Sequence, residues 1–270
     1  MKHLIAVTVM ILSTAATVHG QAVTELYEAR SYTAPKGRYA ETPLPYRLMK
    51  PAQLEPGKRY PLVVFLHGAG ERGRDNVKQL SSLPTWLAEP EMREKYPCYL
   101  VAPQCPDDRI WASIDWREQR RTYSDEPTDE LAAVIAITEQ LLASEPIDVD
   151  RVYLTGLSMG GYGTWELAIR RRDLFAAAAP ICGGGDPAKV QPLVDLPVWA
   201  WHGDQDRAVN VERSREMIAA IKAAGGNPKY TEVRGGGHDV WTPAYRNEDG
   251  VVPWLFEQKR TKASPPKDGE

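Results

Sequence analysis

Short apolar runs alternate along the chain with longer amphipathic ones. Residues 61–66, 98–102, 151–155, 175–181, 197–201 and 229–233 are apolar or β-branched over spans too short for helices, so they read as buried strands. Between them, residues 128–144, 159–171 and 211–224 carry helical periodicity, and Thr128-Asp129-Glu130 suits a helix start. Residues 22–33 and 44–50 read as an opening antiparallel pair joined through Pro35-Lys36-Gly37, and residues 252–260 as a short terminal helix. The alternation predicts an α/β fold with a mainly parallel central sheet covered by helices on both faces. It predicts one catalytic domain over residues 21–260, without internal repeats.

Each predicted strand runs into a turn rich in glycine or proline. These are His67-Gly68-Ala69-Gly70, Pro103-Gln104, Gly156-Leu157-Ser158-Met159-Gly160, Gly183-Gly184-Gly185, His202-Gly203-Asp204 and Gly235-Gly236-Gly237-His238. In sheets of this kind the carboxyl ends of the strands form the working edge. The chemistry is therefore expected on those turns.

Composition narrows the function classes. An apolar fraction of 43%, a charged fraction of 26% and a net charge of −3 over 270 residues describe a globular protein with no basic stripe for nucleic acid. Lys2 and His3 followed by the apolar run 4–12 and Val18-His19-Gly20 read as a signal peptide over residues 1–20, which predicts a secreted or periplasmic protein without a membrane span in its mature part. Residues 261–270 read as a disordered tail. Three cysteines remain. An extended run between Cys98 and Cys105 would hold them roughly 20 Å apart, too far for a bond. All three, Cys182 included, are expected to be small buried residues. No Cys/His spacing resembles a zinc site, so neither metal nor organic cofactor is expected.

Gly156-Leu157-Ser158-Met159-Gly160 carries the strongest chemical signal, because a strand enters it and a helix leaves it. That arrangement puts a serine on a sharp turn with its hydroxyl exposed, and a Cβ on either glycine would collide with a neighbouring element. Ser158 is the candidate nucleophile. A serine hydroxyl needs a base, and His238, on a flexible triple-glycine run, is free to reach it; His67 and His202 sit in His-Gly steps where a ring commonly braces the turn. The acid should lie between nucleophile and base in the chain. Asp206 is preferred, Asp204 is the rival that more plausibly caps its own loop, and Asp195 is a distant third choice. Two backbone N–H groups should stabilise an oxyanion: that of Met159, and that of Ala69 or, second, Gly70.

With these motifs the chain resembles the esterase branch of the α/β-hydrolase fold, without a cap domain. The similarity rests on Leu66-His67-Gly68-Ala69-Gly70-Glu71-Arg72-Gly73, Ala102-Pro103-Gln104-Cys105, Gly156 to Gly163, Trp201-His202-Gly203-Asp204 and Gly237-His238. It points to feruloyl and acetyl-xylan esterases of carbohydrate esterase family one, polyhydroxybutyrate depolymerase-like esterases and phospholipase/carboxylesterases. It implies a Ser158–Asp206–His238 triad and an oxyanion hole at Ala69 and Met159. The chain is also similar to the catalytic domain of prolyl oligopeptidases, without the length for their propeller. Dienelactone hydrolases share the fold with a cysteine nucleophile, against which Ser158 argues.

Only residues 183–196 separate two predicted strands where lid-bearing relatives insert a cap, which favours an open site for short or polymer-linked acyl esters. Trp241, Trp111 and Gln104 are the expected substrate contacts; Trp86, Trp116, Trp199 and Trp201 are expected to be packing. The expected partner is a small or polysaccharide-linked ester, with a peptidase or amidase and a non-catalytic binding protein as alternatives.

Overall fold

The computed structural model describes residues 21–114 and 122–260. Residues 1–20, read above as a signal peptide, residues 261–270 and Trp116 lie outside the described residues.

The eight strands are β1 (Tyr27–Tyr32), β2 (Leu44–Met49), β3 (Tyr60–Leu66), β4 (Tyr99–Pro103), β5 (Ile147–Leu157), β6 (Ala177–Ile181), β7 (Trp199–Gly203) and β8 (Lys229–Val233). They form one sheet in the order β1-β2-β4-β3-β5-β6-β7-β8. The pairs β1–β2 and β2–β4 are antiparallel, and every pair from β4 onward is parallel. A parallel strand needs a crossover, which α-helices supply except between β6 and β7.

Period-two alternation sorts the strand side chains between two cores. Leu62, Val64 and Leu66 of β3 join Leu154 of β5 on one face, while Val63 and Phe65 join Tyr153 on the other. Because both faces are covered, all of β3 is buried and its sequence shows no polar alternation. The first face packs under α5 (Asp129–Ser144), α6 (Met159–Arg170) and α7 (Glu212–Ala223), through residues such as Val134, Ile137, Trp165, Met217 and Ile221. The second packs under α3 (Leu83–Leu87), α8 (Trp241–Arg246) and α9 (Val251–Glu257), through Leu83, Trp86, Ala244, Val251 and Leu255. Two short helices, α1 (Gln21–Glu25) and α2 (Arg38–Glu41), flank β1, and α4 (Pro90–Lys95) precedes β4.

Thr128 caps α5 by accepting the N–H of Leu131 at 3.1 Å, which satisfies one of the amides a helix start leaves unpaired. The segment expected as one strand over residues 22–33 is helical up to Glu25, because Val23 turns into the second core. Helices α3 and α4 carry Pro84 and Pro90 at their first or second position, where the missing N–H costs nothing. The link from β6 to β7 carries only two single 3-10 turns, Pro187–Lys189 and Gln191–Leu193. No helix among the described residues is long and apolar enough to cross a membrane.

Candidate active site

Strand β5 drives into Gly156-Leu157 and the chain reverses at Ser158, whose φ of 55° and ψ of −118° lie in a region costly for a residue with a side chain. A Cβ on Gly160 would stand 1.9 Å from the Leu66 carbonyl oxygen, and one on Gly156 2.6 Å from the same atom. The glycines thus let β3, β5 and α6 meet closely enough for the turn to close. The Ser158 N–H donates to the Ile181 carbonyl at 2.9 Å, which ties the elbow to β6.

Two other turns converge on the hydroxyl. His238 sits past β8, with Nε2 2.9 Å from Ser158 Oγ and Nδ1 2.7 Å from Asp206 Oδ2. A Cβ on Gly203 would lie 2.2 Å from the Gly237 carbonyl oxygen, so the His-Gly step after β7 makes room for the loop that delivers His238. The Asp206 carboxylate can only accept, which puts the ring proton on Nδ1 and leaves Nε2 to accept from the serine hydroxyl. Trp241 packs edge-on against the His238 ring, with centroids 5.5 Å apart.

The Asp206 side chain is inaccessible to solvent. Its Oδ1 accepts the N–H groups of Ala208 and Val209 at 2.8 and 2.9 Å, and its Oδ2 faces His238 and His202 Nε2, the latter at 3.2 Å. Burial pushes this carboxyl up, but hydrogen bonds from His202, His238 and the two amides outweigh it and hold the group well below the usual carboxylate range. Asp204 does not face the histidine; its Oδ1 accepts the Gly235 N–H at 2.7 Å and anchors the glycine run. Asp195 precedes β7 at the opposite end of that strand.

Met159 opens α6, so its N–H has no partner within the helix. Ala69 opens a 3-10 turn past β3, and its orientation follows from His67. The Cys105 N–H donates to His67 Nε2 at 2.9 Å, so the proton is on Nδ1, which donates to the Gly68 carbonyl at 2.6 Å. In a trans peptide the N–H of Ala69 then points the opposite way from that carbonyl. Burial lowers His67 to about 4, keeping the brace neutral.

Two expected substrate contacts are corrected. Trp111 is fully buried: its Nε1–H donates to the His67 carbonyl at 3.0 Å and its ring stacks edge-on against His67. Gln104 is equally inaccessible, with Oε1 accepting from the Asn76 N–H and Nε2 donating to the Glu71 carbonyl and Asp75 Oδ1. Both brace the oxyanion-side loop from behind. Trp241 remains at the surface of the site and, with Trp86, Ser81, Ser82 and Thr242, lines a cavity of about 500 Å³. Trp86, expected to be mere packing, therefore also forms a wall. A second hollow of about 510 Å³ is lined by His238, Gln205 and Arg207.

The three cysteines are buried free thiols. Cys182 ends β6 with φ of 40°, and its sulfur, an Asp206 oxygen and a His238 nitrogen lie within 4.8 Å of one another. The carboxylate and imidazole are already bonded to each other, and burial pushes the thiol far up, away from the thiolate that metal binding needs.

The chain is similar to several known proteins. The family model described as the dienelactone hydrolase family matches residues 108–239. A thermostable esterase of known structure is 40% identical, with a TM-score of 0.79 over 88% of this chain and 64% of its own. A candidate esterase, NocK of Nocardia uniformis subsp. tsuyamanensis, is 34% identical over 92 residues, which cover 31% of this chain and 27% of that protein. A ferulic acid esterase of carbohydrate esterase family one from Anaeromyces mucronatus, solved with ferulic acid, is 15% identical with a TM-score of 0.59 over 81% of this chain and 88% of its own, a likeness of fold. The chain thus spans less than two thirds of the thermostable esterase and about a quarter of the Nocardia protein. Strand order, the serine elbow and these likenesses establish that the chain has the α/β-hydrolase fold.

Proposed function

We propose that the chain is an exported serine hydrolase that cleaves carboxylic esters through an acyl-enzyme. The observation that carries this reading is the continuous hydrogen-bonded line from Ser158 Oγ through His238 to Asp206, at 2.9 and 2.7 Å. In it, His238 Nε2 takes the hydroxyl proton as Ser158 attacks the ester carbonyl, and Asp206 stabilises the imidazolium that forms. The N–H groups of Met159 and Ala69 receive the developing oxyanion, where one such donor is typically worth about 3 kcal/mol. His238 then protonates the leaving alcohol, and water returns the serine by the same route. The reading needs no metal or organic cofactor.

The substrate is an acetyl, feruloyl or other short acyl ester on a polysaccharide or small alcohol. Supporting this, the β6–β7 link carries only short turns where a lid could sit, and two indoles border a cavity, one of them packed against His238. Indole faces suit a sugar or an aryl ring. Export is read from the apolar N-terminal segment.

The test compares purified protein with Ser158→Ala on p-nitrophenyl acetate, butyrate and octanoate, methyl ferulate, acetylated xylan and an aminoacyl anilide. Ester turnover should fall at least a thousandfold in the variant, with acetyl and feruloyl esters preferred over octanoate. Unchanged turnover in Ser158→Ala would remove the serine mechanism, and cleavage of the anilide alone would replace the esterase reading with a peptidase.

A further inference from the structure

We infer that His202 is a second histidine of the acid: a buried positioning residue that holds Asp206 from behind while His238 works in front. The inference rests on the triad reading above and extends it by one residue.

His202 is wholly buried at the end of β7. Its Nε2 lies 3.0 Å from the Val209 carbonyl oxygen and 3.2 Å from Asp206 Oδ2. Both neighbours only accept, so Nε2 must carry a proton. The ring's other nitrogen, Nδ1, is 2.7 Å from Ser214 Oγ on α7, and that hydroxyl is 3.0 Å from the Gly183 carbonyl oxygen. A line of polar contacts therefore runs from Gly183 through Ser214, His202, Asp206 and His238 to Ser158. With a neutral ring, Ser214 donates to Nδ1. With a charged ring, Nδ1 donates to Ser214, whose hydrogen turns to Gly183. Either way His202 keeps its N–H between the Val209 carbonyl and Asp206 Oδ2.

This placement has a consequence beyond packing. Asp206 Oδ1 is fixed by the amides of Ala208 and Val209, so the carboxylate plane is set on that side. Oδ2 must lie in line with His238 Nδ1, and the His202 N–H, shared with the Val209 carbonyl, is the other donor facing that oxygen. A donor on Oδ2 also withdraws charge from it and so tempers the basicity that His238 feels. The ionisable groups facing His202 are Asp206 on the following turn, His238 beyond it, Cys182 from β6, and Glu232, its register partner in β8, which is itself paired with Arg215.

The measurement is the pH profile of kcat/KM on p-nitrophenyl acetate for His202→Leu, His202→Gln and Ser158→Ala, with thermal melts as a fold control. Removing the donor leaves Asp206 more basic, so the acid limb of His202→Leu should move up by about half a unit to one unit, the worth of one hydrogen bond. Its kcat should fall roughly tenfold with KM within about twofold, as expected for a group that acts on the transition state alone. His202→Gln, which restores an N–H near the Nε2 position, should return the limb toward that of the natural protein. If His202→Leu does not accumulate folded, Ser214→Ala, which frees Nδ1 and loosens the ring, is read the same way and should move the limb up by a smaller step. A folded variant whose acid limb coincides with that of the natural protein overturns the inference. Turnover that survives Ser158→Ala overturns instead the triad reading beneath it, so the two failures are told apart.

Discussion

Acidification should destabilise this chain through one imidazole before its carboxylates titrate. His67 is wholly buried between β3 and the turn at Cys105, and burial, only partly offset by its bond to Gly68, lowers it to about 4. In the unfolded chain the same group titrates near ~6.5. Between those values the unfolded state binds one proton more than the folded state, so stability falls as pH falls. The contribution is fully present above about pH 6.5 and exhausted near pH 4, and a difference of roughly 2.5 units corresponds to about 3 kcal/mol. That is a large share of the ~5–15 kcal/mol by which folded domains exceed unfolded ones. Urea unfolding followed by tryptophan fluorescence at pH 7.5, 6.5, 5.5 and 4.5 reads the slope, with His67→Asn as the non-titrating comparison. The variant should be less stable at pH 7.5 by roughly 2 kcal/mol, since the buried Cys105 N–H loses its acceptor. Its loss between pH 6.5 and 4.5 should be smaller by about one proton's worth, ~1.4 kcal/mol per pH unit. Equal slopes in the two proteins would refute the assignment of a neutral, buried His67.

Other substitutions test the close approaches and the choice of acid. Gly160→Ala places a Cβ 1.9 Å from the Leu66 carbonyl oxygen, a backbone atom that cannot swing away; it should cost more than ~3 kcal/mol or prevent accumulation of folded protein, read by urea unfolding or soluble yield. Asp206→Asn should keep the fold and lower kcat about 10³- to 10⁴-fold, because the imidazole loses the partner that fixes its tautomer. Asp204→Ala should instead leave kcat within about tenfold and cost ~1 kcal/mol in unfolding free energy, since that carboxylate only anchors Gly235. A reversal of those two outcomes would make Asp204 the acid. Trp241→Ala should raise KM for acetylated xylan several-fold more than KM for p-nitrophenyl acetate, if the indole beside His238 touches the larger alcohol.

The alternation of apolar runs with amphipathic stretches was enough to derive a parallel sheet covered on both faces, because strand burial and helix amphipathicity are local periodicities. The elbow was equally legible: a strand, a Gly-x-Ser-x-Gly turn and a helix permit few backbone arrangements. Helices α3 and α8 escaped because they run only five and six residues, and their apolar residues look like loop packing until the second core is assembled. Chain order admitted both Asp204 and Asp206, and the place of Asp204 nearer the strand, as a loop cap, favoured Asp206, yet nothing along the sequence measures which of two nearby carboxylates faces an imidazole 32 positions away. Trp111 and Gln104 show the same limit: each follows a strand end at the working edge, but their side chains turn inward to satisfy buried carbonyls and amides that no local pattern reveals. His202 reads from sequence as a turn brace, and only tertiary packing sets its ring against Asp206 and Ser214. Backbone periodicity and turn chemistry thus determined the sheet, its working edge and the residue types on it. The direction each side chain takes was decided by the three-dimensional competition for buried hydrogen-bond partners, because an unpaired polar group in the interior costs more than any local preference can return.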